Sequence, residues 1–309
     1  MLAAYITHAD CLKHEMGDDH PECPARIASI NDMLLAQGLL DVMQSFDAPL
    51  VSMEALRRVH SEAHLNRMFS LAPSEGYQRI DPDTLMNAHS LQAARRAAGA
   101  TVLATDLVMQ GQHRIVFCNV RPPGHHATID EAMGFCFFNN IAVGIRHALE
   151  HYQIQRVALI DFDVHHGNGS ESVFYHDSRV LMCSTYQTDL FPFHVETEKS
   201  PYRVNIGLPA RSRGDVFQEA VQSHWLEALD RFKPELMYIS AGFDGHQWDD
   251  MGGLGLLEKD FAWVTKQMMQ VADKHAQGRV ISCLEGGYEL DALARSASSH
   301  VKALLGLDG

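Results

Sequence analysis

Seven short apolar runs alternate with longer amphipathic stretches along this chain: Leu2–Thr7, Ile115–Val120, Val157–Phe162, Val180–Ser184, Arg203–Gly207, Leu236–Ser240 and Val280–Leu284. Each run is nearly continuous in apolar residues, as strands become when both faces are covered and neither meets water. Between them the helical period is read over 24–37, 54–71, 88–110, 139–151, 215–232, 258–276 and 289–305, with SLQAARRAAGATVLATDLVM the most regular. The alternation predicts an α/β fold, a mostly parallel sheet flanked by helices on both faces. With no repeat, low-complexity tract or long Gly/Ser/Pro linker in its 309 residues, the chain reads as a single domain spanning 1–309.

In an open parallel sheet, ligands bind beyond the carboxyl ends of the strands. Those ends hold the chain's densest chemistry. After one strand comes Arg121-Pro-Pro-Gly-His125-His126, and after the next Asp161-Phe-Asp163-Val-His165-His166-Gly-Asn168. Asp244-Gly-His246 and Glu285-Gly286-Gly287-Tyr288 follow two more. Side chains at i and i+2 of an extended segment share a face, so Asp163 and His165 are placed to grip one cation. Asp244 from a neighbouring strand would be a third ligand, leaving a fourth position open, which is the layout of catalytic rather than structural zinc. The same residue types are also common in turns; it is their recurrence on several strand ends that favours the metal site.

Pro122 and Pro123 keep the His pair out of a helix. Histidines beside a metal are candidates for general acid and base. Asp161 and Asn168 are available to orient one imidazole each, and only the first carries charge, so the two rings would differ in basicity. Gly286 and Gly287 permit a sharp turn that presents the Tyr288 phenol as an oxyanion donor.

Composition narrows the setting. Hydrophobic residues at 46% and charged residues at 21% exclude a disordered or fibrous chain. A net charge of −14 gives no general attraction to nucleic acid or anionic lipid. No run of apolar residues is long enough to span a bilayer, and the N-terminus lacks a signal-peptide pattern. The six cysteines (Cys11, Cys23, Cys118, Cys136, Cys183, Cys283) contain no C-x-x-C pair; a reducing, cytoplasmic setting is expected.

Taken together, His20-Pro-Glu-x-Pro-x-Arg26, Asp81-Pro-Asp-Thr84, RPPGHHA, GFCFFNN, DFDVHHGNG, SAGFDGH and LEGGY resemble the zinc-dependent histone deacetylase and acetylpolyamine amidohydrolase superfamily, whose fold is arginase-like. Asn168 in HHGNG is similar to the class II branch. The resemblance implies one catalytic zinc on Asp163, His165 and Asp244. It implies His126 as the base that takes a proton from water and then protonates the leaving amine, His125 with Asp161 as an electrostatic neighbour, and Tyr288 as the group polarising the carbonyl. Gly134, Phe135 and Phe191 match the walls of an acyl-lysine tunnel, and Arg26 an internal arginine near the acetate exit. Structural potassium is also implied, on Asp161, Asp163, His165, Ser184 and Thr185, with a second site on Phe174, Asp177, Val180 and Tyr202. Met251 falls near a gatekeeper position, and Asn87 loosely matches a polar residue that meets the substrate backbone.

The expected substrate is acyl-lysine in a peptide or protein, since the Leu71–Asp81 segment lacks a constricting insertion and Met251 offers no carboxylate to a second ammonium. Acetylated polyamines are the alternative, favoured by the acidic charge. A binuclear manganese hydrolase of arginase type would need a second bridging carboxylate, for which only Asp249 and Asp250 lie nearby. A non-catalytic acyl-lysine reader would have lost a ligand, His126 or Tyr288, and all are present. His8, His14, His60, His64, His89, His113, His147 and His151 read as surface or ordinary core histidines, and Trp248 is a candidate for the mouth.

Overall fold

Eight strands hydrogen-bond side by side, all in parallel, in the computed structural model, which describes residues 3–193, 195, 198 and 200–307. In chain order the strands are β1 (Ala3–Thr7), β2 (Met43–Asp47), β3 (Tyr77–Arg79), β4 (Leu85–Asn87), β5 (Ile115–Cys118), β6 (Val157–Asp161), β7 (Val180–Gln187), β8 (Arg203–Leu208), β9 (Leu236–Ala241) and β10 (Val280–Leu284). The sheet order is β2-β1-β5-β10-β9-β6-β7-β8, and β3 and β4 form a separate antiparallel pair. The helices are α1 (Ala25–Ala36), α2 (Met53–Arg57), α3 (Glu62–Leu71), α4 (Ser90–Met109), α5 (Asn140–His151), α6 (Asn168–Phe174), α7 (Gly214–Ala220), α8 (Leu226–Phe232), α9 (Glu258–His275) and α10 (Leu290–Leu305).

Strand alternation assigns the two helical layers. Ile281 on β10 pairs with Tyr238 on β9, and Ser282 with Ile239. Tyr238 is bonded through its hydroxyl to Thr105 on α4, whereas the Ser282 hydroxyl bonds His300 on α10. Neighbouring positions point to opposite faces, so α4 and its partner α5 cover one side, and α10 with α1 and α9 the other. The expected α/β architecture is observed. Leu2, read as the start of the first strand, lies outside the described residues.

Local structure departs from the sequence-based expectation in five places. The stretch 54–71 is two helices, because Ser61 turns extended and its hydroxyl caps the N–H of His64. The strand β2 escaped notice because its MQSFD sequence sits half-exposed at the sheet edge and lacks an apolar run. The β3–β4 pair is too short and polar to leave a pattern. Helix α6 begins within the glycine-rich HHGNG turn, where glycines argue against helix. The stretch 215–232 is helical throughout but carries a π turn over Val221–Trp225 between α7 and α8.

His300 lies wholly inside the core, its ring held between the hydroxyls of Thr265 and Ser282. Burial lowers its pKa to about 3. The unfolded chain takes up a proton on this residue near pH 6.5, and the folded chain does so only near 3. Between those values the unfolded state binds more protons, so the contribution of His300 is complete above pH 6.5 and is lost as pH falls. The stability advantage of the wild type over His300→Gln should therefore shrink by about 2 kcal/mol between pH 7 and pH 5. Denaturant unfolding of both proteins at the two pH values measures it; a constant difference would mean that the ring is not held neutral.

Candidate active site

The strands β5, β10, β9 and β6 are neighbours in the sheet, and the four strand-end motifs follow them. The sheet order thus brings together groups that lie far apart in sequence. Asp163, His165 and Asp244 converge, one ligand atom of each lying within 4.8 Å of the others. His165 Nδ1 is 3.1 Å from Asp163 Oδ1 and 3.2 Å from Asp244 Oδ2.

Backbone donors steady the aspartates. Asp163 Oδ2 accepts the Gly286 N–H at 2.8 Å, and Asp244 Oδ1 accepts the Val164 N–H at 2.9 Å. Asp244 Oδ2 is buried and accepts no hydrogen bond. A Cβ on Gly286 would overlap that oxygen and stand 2.6 Å from Asp163 Oδ2, so only glycine allows the β10 loop this close. Two buried carboxylates cost several kcal/mol unless a cation is shared between them. Burial and the charge of Asp163 push Asp244 up to about 7. Two carboxylates, one of them with an orphaned oxygen, and an imidazole fit one divalent cation.

The histidines behave differently because their partners differ. His125 Nδ1 lies 3.0 Å from Asp161 Oδ2, and His126 Nδ1 lies 2.8 Å from Asn168 Oδ1. Burial alone would lower His125, but Asp161 and Asp163 overcome it and hold the ring well above its usual value. Burial, reinforced by the adjacent His125, holds His126 well below. At neutral pH His126 is the neutral ring, and because the Asn168 carbonyl takes its Nδ1–H, Nε2 is left as the proton acceptor. Glu285 fixes the backbone of this loop by accepting the N–H groups of Gly124 at 2.7 Å and His125 at 3.1 Å.

A narrow cavity of about 160 Å³ leads to these groups. It is lined by Asp83, His126, Gly134, Phe135, His165, Phe191, Phe193, Met251 and Tyr288. Gly134 has φ +55, and a Cβ there would strike the His126 ring and Phe191. Phe135 also takes a positive φ, +69, with its N–H bonded to Thr84 Oγ1 at 3.0 Å; such non-glycine strain gathers at functional sites. The Phe135 ring meets Tyr288 edge-on at 5.8 Å, and Phe191 meets His126 likewise at 4.9 Å.

Most of the site residues expected from the sequence converge on this cavity, with some changes. Gly286 and Gly287 lie behind the aspartates and Tyr288, where they let backbone approach; they are absent from the cavity wall. Arg26 is fully buried behind Tyr288, with Cζ 4.7 Å from the ring centroid, and donates to the carbonyls of Gly287 and Glu285. Asn87 is corrected: its carbonyl accepts from His89 and Ser90, and its amide donates to Lys13, so it caps a local turn. The residue at the mouth is Asp83, from the quoted Asp81-Pro-Asp-Thr84 motif. Trp248 is also corrected: Arg295 lies over its ring and His246 meets it edge-on, outside the cavity lining.

Asp161 pairs in register with Ser184, and Thr185 is the next residue on β7. Phe174, Asp177 and Val180 form consecutive turns, and the Tyr202 carbonyl accepts from Met182. Here the Asp177 carboxylate is engaged by Arg146 and Arg179, which leaves backbone carbonyls for any cation. Asp249 and Glu285 were missed as site-building residues because each acts on backbone N–H groups, which no side-chain motif reveals.

A family model, the histone deacetylase domain, matches residues 20–304. The chain belongs to the histone deacetylase family. A "Probable deacetylase" of Archaeoglobus fulgidus is 32% identical over 100% of this chain and 88% of that one. A histone deacetylase-like amidohydrolase of Pseudomonas aeruginosa is 35% identical over 87% of this chain and 72% of its own. Among solved structures, the HDA15 HD domain superposes with a TM-score of 0.92 at 28% identity, covering 99% of this chain and 89% of that one. The histone deacetylase fold and the amidohydrolase chemistry of the family therefore frame the site. Among the described residues one trio of side chains could hold a metal ion, and both Asp249 oxygens accept backbone N–H groups.

Proposed function

We propose that this protein is a zinc-dependent deacetylase acting on acyl-lysine side chains of peptides or proteins. The observation that carries the reading is the narrow, aromatic-walled cavity that ends on the trio, His126 and Tyr288, with Met251 on its lining. Phe135 and Phe191 give the cavity an apolar aromatic wall suited to an unbranched aliphatic stem, and an apolar Met251 gives no reward to a second ammonium.

Zinc on Asp163, His165 and Asp244 would supply Lewis acidity toward the amide carbonyl and lower the pKa of a water. The chain's own residues do the rest. His126 Nε2 accepts the proton that water loses as its oxygen attacks the carbonyl carbon. The Tyr288 hydroxyl donates to the oxygen on which negative charge develops. His126 then returns the proton to nitrogen as the C–N bond breaks, giving a carboxylate and a free amine. His125 keeps its proton under Asp161 and contributes positive charge beside the reaction.

We extend the reading to potassium behind the trio, on Asp161, Asp163, His165, Ser184 and Thr185, and at the carbonyls around Phe174, Asp177, Val180 and Tyr202. A cytoplasmic setting is part of the proposal, supported by six unpaired cysteines. Acetylated polyamines are a second reading, favoured by the Asp83 carboxylate in the cavity lining and the −14 charge.

The deciding experiment compares kcat/KM on acetyl-lysine peptides, N-acetylputrescine and N-acetylspermidine. Peptides are expected to lead by about tenfold or more, and Met251→Glu to narrow that lead by adding a carboxylate for the distal ammonium. Turnover of the small amines alone would reject the lysine reading. Binding without acetate release would reject catalysis.

A further inference from the structure

Tyr288 follows two glycines, and a glycine pair does not by itself fix the direction of the next residue. Neither glycine can be stiffened by a side chain. Gly286 abuts Asp244, and Gly287 sits at φ +116 with a Cβ position 2.7 Å from Leu293. The hold on Tyr288 must come from outside the turn. Arg26 supplies one part from behind the ring. The other part is Asp249, only 5% exposed.

Asp249 Oδ2 accepts the Tyr288 N–H at 2.6 Å and the Glu289 N–H at 3.0 Å. Its Oδ1 accepts the Met251 N–H at 3.0 Å, and its own N–H donates to the His246 carbonyl at 2.9 Å. One buried carboxylate thus joins two loops. The loop after β9 carries Asp244 and Met251; the loop after β10 carries Tyr288. The carboxylate also lies at the N-terminal end of α10, which Glu289 caps, where the helix field favours an anion.

We infer that Asp249 is a positioning residue that aims Tyr288 by clamping the backbone at 288–289, and that it ties this setting to Met251 in the cavity wall. The inference rests on the proposed role of Tyr288 as oxyanion donor. Asp249 is not in the cavity lining; it acts through Tyr288.

Asp249→Asn tests the clamp, because it nearly keeps the volume but leaves one acceptor oxygen for three donors and turns an amide N–H toward one of them. The metal-loaded variant is compared with wild type, Tyr288→Phe and the double variant for kcat, KM, metal content and hydrogen exchange across 286–292. A misplaced catalytic group is expected to cost ~10²-fold in kcat, with KM and metal content nearly unchanged. Exchange at the 288 and 289 amides should rise. In the Tyr288→Phe background the same change should cost less than about threefold, since the two residues act as one unit.

A kcat within about threefold of wild type, an equal loss in both backgrounds, or unchanged exchange would each overturn the inference. Should Asp249→Asn fail to fold, Asp249→Glu, which keeps the charge but moves it by one methylene, takes its place with the same criteria. Were the wild type to hydrolyse no acetylated amine, the proposed function would fall, while the exchange measurement would still report on the clamp.

Discussion

Replacing His126 by alanine is expected to lower kcat by ~10⁴-fold, at the upper end for a general acid–base group, because in the proposed mechanism one imidazole serves both proton transfers. The ring is buried, its Nδ1 is committed to Asn168, and its pKa is held low by burial and by His125. Its neighbour cannot replace it. His125 is held in the protonated form by Asp161 and Asp163, so it has no lone pair to offer. The expected loss appears in kcat with folding and metal content intact, since His126 belongs to neither the trio nor the hydrophobic core. Steady-state kinetics beside metal analysis make the check. A variant within tenfold of wild type would move the base elsewhere.

Truncating Glu22 to alanine should cost about 3–5 kcal/mol of folding stability, the usual result of removing one partner from a buried ionic cluster. Glu22 is fully buried and lies between Arg121, Arg26 and His14. Arg121 makes two hydrogen bonds to its carboxylate, at 2.5 and 2.7 Å, and also holds the carbonyls of Cys11 and His14. Without Glu22, Arg121 loses its buried carboxylate partner and Arg26 its direct ion pair. Such a loss is a large share of the 5–15 kcal/mol typical of a folded domain. It would also reach the site, because Arg121 opens the RPPGHH loop and Arg26 backs Tyr288. Denaturant unfolding of Glu22→Ala against wild type measures the effect; a shift under about 1 kcal/mol would show the cluster to be weakly coupled.

Much of this site was legible because its chemistry lies at the ends of covered strands. An apolar run identifies a strand such as VALID, and the polar residues that follow it must lie beyond the sheet edge. Asp163, His165 and Asp244 could therefore be grouped before any strand order was known. What stayed hidden depended on backbone partners. Asp249 and Glu285 look like ordinary loop acids until their N–H donors are located. Asn87 misled for the converse reason, since a polar residue near a motif was assigned to substrate while its hydrogen bonds serve its own turn. At the level of fold, β2 and the β3–β4 pair were missed because edge and isolated strands need not be apolar.

The position of β10 has a consequence for how the chain is made. It follows the other seven strands of this sheet in the chain, yet it pairs between β5 and β9 in the interior of the sheet. Until it is synthesised, two central strands keep open edges of the kind that invite pairing with other chains. Contacts of such long sequence separation form slowly, and exposed edges on an incomplete sheet favour aggregation. Because the same insertion delivers Gly286 to the aspartates and Tyr288 to the cavity, the candidate site is assembled only when the sheet closes.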